Sequence, residues 1–159
     1  MNRVNTYIEE KNEEMIEALQ KLVQIPSVKD SPSPGMPYGK NVYAALTYTM
    51  ELARKLGFSP KNLDGHMVLV DYGEGEETFG IMMHLDVVPE GSDWTYEPFS
   101  AHIENGRMYG RGTTDNKGAV ISTLYALAAI KDCGLPLRRR VRVMMGCDEE
   151  SGWQDIAYY

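Results

Sequence analysis

The chain contains 159 residues, of which 43% are hydrophobic and 25% are charged, as is typical of a globular protein large enough to bury a core. Its formal net charge of −7 argues against nucleic-acid binding, because the phosphate backbone selects clustered lysine and arginine. There is no signal-peptide pattern, no apolar run near the roughly 20 residues of a membrane span and only two cysteines, which predicts a reduced cytoplasmic protein with no membrane partner.

The first third of the chain is predicted to contain two helices separated by a loop. Residues 5–24 carry apolar side chains at helical spacing, and Pro26 follows the predicted end of this helix. Residues 29–39 hold three prolines and two glycines, which predicts a loop. A second helix is predicted over residues 41–55, with Gly57 just beyond its end.

Strands and a buried helix are predicted in the rest of the chain. Residues 66–72 and 78–88 are predicted strands, and a hairpin is expected with its turn at Asn105-Gly106. Residues 116–132 are apolar on most helical faces, which predicts a buried helix, and residues 138–147 alternate like a strand. This order of elements favours an α/β fold, a mixed sheet with helices on both faces.

The predicted strand 78–88 carries two polar side chains, His84 and Asp86, in an otherwise apolar run. Side chains alternate along a strand, so both are expected on one face, about 6–7 Å apart. A metal-binding imidazole whose second nitrogen is held by a carboxylate has this pattern. A core histidine paired with an acid has it too, so this motif alone leaves both interpretations open.

A glycine-rich segment, GRGTTDNKGA at residues 110–119, leads into the predicted buried helix and contains Asp115. Capping of the helix N-terminus would by itself explain an aspartate there. Capping does not explain the glycines on either side of Arg111, which permit a close approach of the backbone to another group. A phosphate-binding loop is disfavoured, because the Walker spacing is missing and an acid would repel phosphate.

The third motif is CDEESG at residues 147–152, where the last predicted strand ends. A solvated acidic loop is one interpretation of Asp148, Glu149 and Glu150. However, ligands bind at the carboxyl ends of strands in open α/β sheets, where His84 also lies. If these acids converge on the imidazole, a divalent cation such as zinc or manganese would relieve their repulsion.

Glu149 and Glu150 are expected to divide two roles at such a site. Adjacent side chains of an extended chain point to opposite sides, so one could bind a metal ion while the other acts as general base. The spacing alone does not assign the roles.

Four ordered motifs together resemble a known family: HLDVVP from residue 84, Trp94-x3-Pro98-Phe99, GRMYGRGTTDNKGA from residue 106, and DEESG from residue 148. They are similar to those of the zinc-dependent exopeptidases that include aminoacylase, carnosinase, peptidase T and carboxypeptidase G. Within this family, the branch of bacterial peptidase V, an Xaa-His-type dipeptidase, is the most similar. The resemblance runs along essentially the whole chain.

The resemblance implies a role for each candidate residue. His84 would bind one metal ion, and Asp86 would orient His84. Asp115 would bridge two ions, and the peptide bond that follows it would be cis. Glu149 would be the general base, and Glu150 would bind the second ion.

The resemblance also implies what the whole enzyme needs. It would use two Zn²⁺ ions, or Mn²⁺ or Co²⁺, to hydrolyse dipeptides with metal-activated water. Residues 1–159 would be the amino-terminal portion of the catalytic domain, lacking two further ligands and the lid domain. His66 and His102 do not match the missing histidine.

The chain by itself is therefore expected to be metal-poor and inactive, and its unpaired sheet edge is expected to favour self-association. Two alternatives remain: a deacylase of N-acyl amino acids in the same family, and a non-catalytic, self-associating module.

Overall fold

The computed structural model describes residues 2–159, which form five helices and six strands. The helices are α1 (Asn2–Glu10), α2 (Asn12–Val23), α3 (Lys40–Lys55), α4 (Lys117–Asp132) and α5 (Gln154–Tyr158). The strands are β1 (Lys61–Leu63), β2 (Met67–Tyr72), β3 (Thr78–His84), β4 (His102–Glu104), β5 (Arg107–Tyr109) and β6 (Arg140–Gly146). Among these residues, no helix is both long and apolar enough to cross a membrane.

Four strands form a mixed sheet in the order β1-β2-β6-β3, and β4 and β5 form a separate hairpin. β6 is antiparallel to β2 and parallel to β3, so the mixed sheet predicted from the sequence is confirmed. β6 is buried at Val141, Val143 and Met145, which face the core, whereas the alternate residues face the other side. The alternation predicted from the sequence thus fixes which face of the sheet is covered.

The helices cover the two sheet faces unequally. α3 packs on β2 and α4 on β3, while α2 contacts both helices and contributes Leu22 to the core. The short α5 lies on the opposite face, where the Tyr159 hydroxyl beyond its end accepts a hydrogen bond from Arg142 at 2.9 Å. α4 is buried on most of its surface, as its sequence predicts.

Two predicted boundaries are wrong. The helix predicted over 5–24 is divided at Lys11, although helical hydrogen bonds continue on both sides of it. The strand predicted over 78–88 ends at His84, because the chain then changes its partner. The Ser27 hydroxyl donates to the Leu85 carbonyl at 2.7 Å, and the Val87 amide donates to the Ser27 carbonyl at 3.0 Å.

Glu14 connects three helices through its carboxylate. It accepts hydrogen bonds from Lys55 at 2.9 Å, Lys11 at 3.0 Å and the Tyr125 hydroxyl at 3.1 Å. The bonds from Lys55 and Lys11 lower the pKa of Glu14 from 4.5 to about 2. Because the folded state lowers this pKa, the contribution is present above about pH 4.5 and is lost as the pH falls toward 2.

We therefore expect Glu14→Gln to reduce the free energy of unfolding by about 1 kcal/mol at pH 7, after allowance for solvent screening. Urea unfolding at several pH values should give a smaller loss of stability between pH 4.5 and 2 for the variant than for the native chain. Equal pH profiles for the two proteins would contradict this assignment.

Candidate active site

The candidate site lies where β3 and β6 end side by side. His84 and Gly146 are paired residues of these parallel strands, so the segment after each strand leaves the sheet at the same edge. The loop before α4 brings Asp115 to this edge, where the His84 ring nitrogen Nε2 lies 3.0 Å from an Asp115 carboxylate oxygen. The sequence-based expectation that these separate segments converge is therefore confirmed.

His84 is almost completely buried, and both of its ring nitrogens face oxygen atoms. Nδ1 lies 3.0 Å from the Asp86 backbone carbonyl and 3.5 Å from an Asp86 carboxylate oxygen, so the carbonyl is the closer partner. Nε2 contacts Asp115 and lies 3.9 Å from a Glu149 carboxylate oxygen. Asp86 thus holds the ring at Nδ1, and Nε2 faces Asp115 and Glu149.

Asp86 is fully buried and binds the acidic segment as well as His84. Its two carboxylate oxygens accept hydrogen bonds from the backbone amides of Glu149 at 3.2 Å and Glu150 at 3.0 Å. The predicted strand ends at His84, before Asp86. An Asp86 carboxylate oxygen nevertheless lies 3.5 Å from His84 Nδ1, so the two side chains lie on the same side, as predicted.

The Asp115 side chain is 74% exposed and does not cap α4. The N-cap residue is Asn116, and no side chain caps this helix. The peptide bond between Asp115 and Asn116 is cis, as the family resemblance implies. The close approach permitted by the glycines is to the chain itself: a Cβ atom on Gly112 would lie 2.9 Å from a methyl carbon of Val87.

The segment after β6 forms a turn in which only two of its three acids face His84. Ligand oxygens of Glu149 and Glu150 and a His84 ring nitrogen all lie within 4.8 Å of one another. The expectation that these two glutamates point to opposite sides is wrong, because residues 148–152 are not extended. Asp148 points away and binds Lys29 at 2.5 Å.

Three residues that support the site were not singled out from the sequence: Lys29, Lys117 and Asp155. Asp148 was expected only as one of the acids converging on His84, and it binds Lys29 instead. All but Lys29 are fully or almost fully buried. Lys117 donates from Nζ to the Ile25 carbonyl at 2.7 Å and thereby ties the start of α4 to the end of α2. A lysine at the start of an otherwise apolar helix was the available signal for Lys117.

Burial and charge shift several pKa values here. Burial lowers the pKa of His84, but its bonds with Asp86 and Asp115 outweigh this effect and raise the pKa to about 9. Burial raises the pKa of Glu150, and the negative charges of its neighbours add to the increase. Burial lowers the pKa of Lys117 to about 7. The site therefore favours a positive charge among its carboxylates.

The donor atoms fit a divalent cation. A His84 ring nitrogen and carboxylate oxygens of Glu149 and Glu150 lie within 4.8 Å of one another, and an Asp115 oxygen lies 3.0 Å from His84 Nε2. This set of nitrogen and oxygen donors suits zinc or manganese. His84, Asp115 and Glu149 line a cavity of about 270 Å³, and Met82 and Trp153 line its apolar side. The two other histidines of the chain lie outside this group: His66 stacks on Tyr158, and His102 on Tyr96.

Comparison with known proteins gives consistent matches. Residues 80–157, which include all five candidate residues, match Peptidase family M20/M25/M40. A Bacillus subtilis (strain 168) protein, YtjP, named provisionally as a dipeptidase, is 46% identical over 151 residues, covering 94% of this chain and 33% of its own length. The Beta-Ala-Xaa dipeptidase of Lactobacillus delbrueckii subsp. lactis is 34% identical over 154 residues, with coverages of 95% and 33%.

A solved structure has the same fold. The M20 family metallo-carboxypeptidase of Sulfolobus solfataricus superimposes with a TM-score of 0.74 at 28% identity, covering 88% of this chain and 32% of that one. The chain thus spans about a third of the length of the curated relatives that it matches. With the motifs and the fold in agreement, the chain belongs to peptidase family M20/M25/M40.

Proposed function

We propose that this chain provides the general base and part of the metal site of a dipeptidase. The observation that carries the proposal is the convergence of Asp115, Glu149 and Glu150 on the buried His84 ring. The names of the two relatives, both dipeptidases, support dipeptides as the substrate class, with β-alanyl dipeptides among those to be tested.

Each residue would have one role. His84, Asp115 and Glu150 would hold metal, and Asp86 would keep the His84 ring in place. A bound divalent cation lowers the pKa of water and polarises a carbonyl group. Glu149 would accept the proton of the attacking water and deliver it to the leaving amine nitrogen.

We further propose that a pair of Zn²⁺ ions is completed by ligands outside these 159 residues. If Asp115 is shared, one ion would have His84 and Asp115, and the other Asp115 and Glu150. Neither ion then has the three protein ligands usual for catalytic zinc. The chain alone is therefore expected to bind metal weakly and to lack activity.

Zinc titration of the 159-residue chain, followed by calorimetry, tests the metal site. We expect less than one tightly bound ion, and weaker binding still for Asp115→Ala and Glu150→Ala. Glu76→Ala, which removes an exposed acid from the turn before β3, is the matched control. Two tightly bound ions on this chain, or equal binding by all four proteins, would contradict the proposed ligand set.

The substrate class requires a complete gene product of the relatives' length. A panel of dipeptides compared with N-acyl amino acids separates peptide hydrolysis from the deacylase alternative. Preferential release of acyl groups would replace the dipeptidase proposal while keeping the same residues in the same roles.

A non-catalytic, self-associating module remains the second candidate, and the sheet edge favours it. β3 is the last strand in the sheet order of residues 2–159, and its Phe79 and Met82 are 55% and 52% exposed. An unpaired strand with exposed apolar side chains favours association with another strand. Sedimentation of the chain at increasing concentration distinguishes a monomer from an associating species.

A further inference from the structure

Four consecutive backbone amides hold the acidic loop, defined here as residues 147–153. The amides of Cys147 and Asp148 donate to one Asp155 carboxylate oxygen at 2.7 and 3.1 Å. The next two amides, of Glu149 and Glu150, donate to the two carboxylate oxygens of Asp86. Two buried carboxylates thus bind one continuous row of N–H groups.

This row fixes the peptide planes that precede the two glutamate side chains. Asp155 binds the two planes on either side of Cys147, and Asp86 binds the next two. Hydrogen bonds to an ionised carboxylate are shorter and stronger than those between neutral groups. Rotation of any of these planes would break such a bond and redirect the side chains of Glu149 and Glu150.

The Asp155 carboxylate packs directly against the backbone of Gly146 at the end of β6. A Cβ atom on Gly146 would lie 2.2 Å from an Asp155 carboxylate oxygen, far inside van der Waals contact. The second oxygen of Asp155 accepts the amide of Ile156 at 2.8 Å. Asp155 is 1% exposed, and both of its carboxylate oxygens accept hydrogen bonds from backbone amides.

We propose that Asp155 is a positioning residue for Glu149 and Glu150. Its carboxylate oxygens bind backbone amides, so it would act through the backbone of the acidic loop. Gly146 is needed for this arrangement, because a side chain at residue 146 would occupy the place of the Asp155 carboxylate. This inference rests on the proposed function for its catalytic meaning, whereas the positioning itself is a property of the folded chain.

Asp155→Asn is the first test, because asparagine keeps the size but has a single oxygen. That oxygen can serve the amides of Cys147 and Asp148 or the amide of Ile156, but not both. Hydrogen exchange followed by NMR should show about 10–100-fold faster exchange at the unsatisfied loop amides. Zinc affinity should fall by about 10–100-fold, as for other groups that orient metal ligands.

Gly146→Ala is the second test and approaches the same contact from the opposite side. It keeps the carboxylate but displaces it, so the exchange of the loop amides should again increase. Gly80→Ala is the matched control: this glycine lies on the same sheet face in β3, and its Cβ would meet only the flexible end of Met144 at 3.1 Å. The control should leave the loop amides unchanged.

The outcomes separate positioning from general stability. Faster exchange confined to the loop, with core amides of α4 unchanged, supports the proposal. Equal increases in the loop and in α4 for both variants, or no change in the loop, would overturn it. If Asp155→Asn does not fold, Gly146→Ala decides between these results. If the native chain binds too little zinc for a titration, the exchange result alone decides the positioning role. The proposed function is tested separately, by dipeptide hydrolysis by the complete gene product, and its failure would leave the exchange result standing.

Discussion

Replacing Glu149 by glutamine is expected to lower the rate of dipeptide hydrolysis by the complete gene product by about 10²–10⁴-fold, the usual contribution of a general base. The amide keeps the size of the side chain but cannot take a proton from water. The backbone amide of residue 149 still binds Asp86, so the loop should keep its shape. Steady-state kinetics with a dipeptide substrate and elemental analysis of bound metal provide the measurement.

The metal content distinguishes the roles of the two glutamates. Glu149→Gln should keep its metal and lose turnover, whereas Glu150→Gln should lose both. Glu76→Gln, in the exposed turn before β3, is the control and should resemble the native protein. A Glu149→Gln enzyme with nearly native turnover would show that the base is elsewhere. Loss of metal from this variant would instead make Glu149 a ligand, which its distance from His84 also permits.

Asp86→Ala is expected to reduce the free energy of unfolding of the 159-residue chain by about 2–4 kcal/mol. The variant leaves two partly buried amides of the acidic loop and one side of the His84 ring without their carboxylate partner. Urea unfolding measures the loss and needs neither substrate nor metal.

Asp71→Ala is the comparison for this prediction. Asp71 also binds two N–H groups, both from Arg142 at 2.7 and 2.8 Å, but this pair is partly exposed at the sheet surface. We expect a cost of about 1 kcal/mol or less, as for other solvent-exposed ion pairs. Equal losses of unfolding free energy for Asp86→Ala and Asp71→Ala would contradict the larger contribution expected from the buried Asp86 carboxylate.

Regular alternation and helical spacing were sufficient to predict most of the fold. β6 and α4 were predicted because burial on one face or on most faces leaves a clear apolar pattern. β1 was not predicted, because Lys61-Asn62-Leu63 has no such pattern and forms a strand only by pairing with β2. The end of β3 was missed because it depends on Ser27, a partner far away in sequence.

The sequence predicted which residues form the candidate site, but it did not predict the hydrogen bonds that hold them in place. The convergence of His84 and Asp115 follows from the positions of strand ends and helix starts in an α/β sheet. The shape of the acidic loop could not be predicted in this way, because tertiary hydrogen bonds to Asp86 and Asp155 determine it. Lys29 was missed for the same reason: its partner Asp148 is distant in the chain.

The central position of β6 determines when the sheet can assemble. β2 and β3 are close in sequence, yet each pairs with β6, which follows them by more than fifty residues. During synthesis, both strands must therefore wait for Arg140–Gly146 to leave the ribosome, with α4 already made but lacking its sheet. Glu149 and Glu150 directly follow this late strand, so they reach His84 and Asp115 only when β6 has joined the sheet.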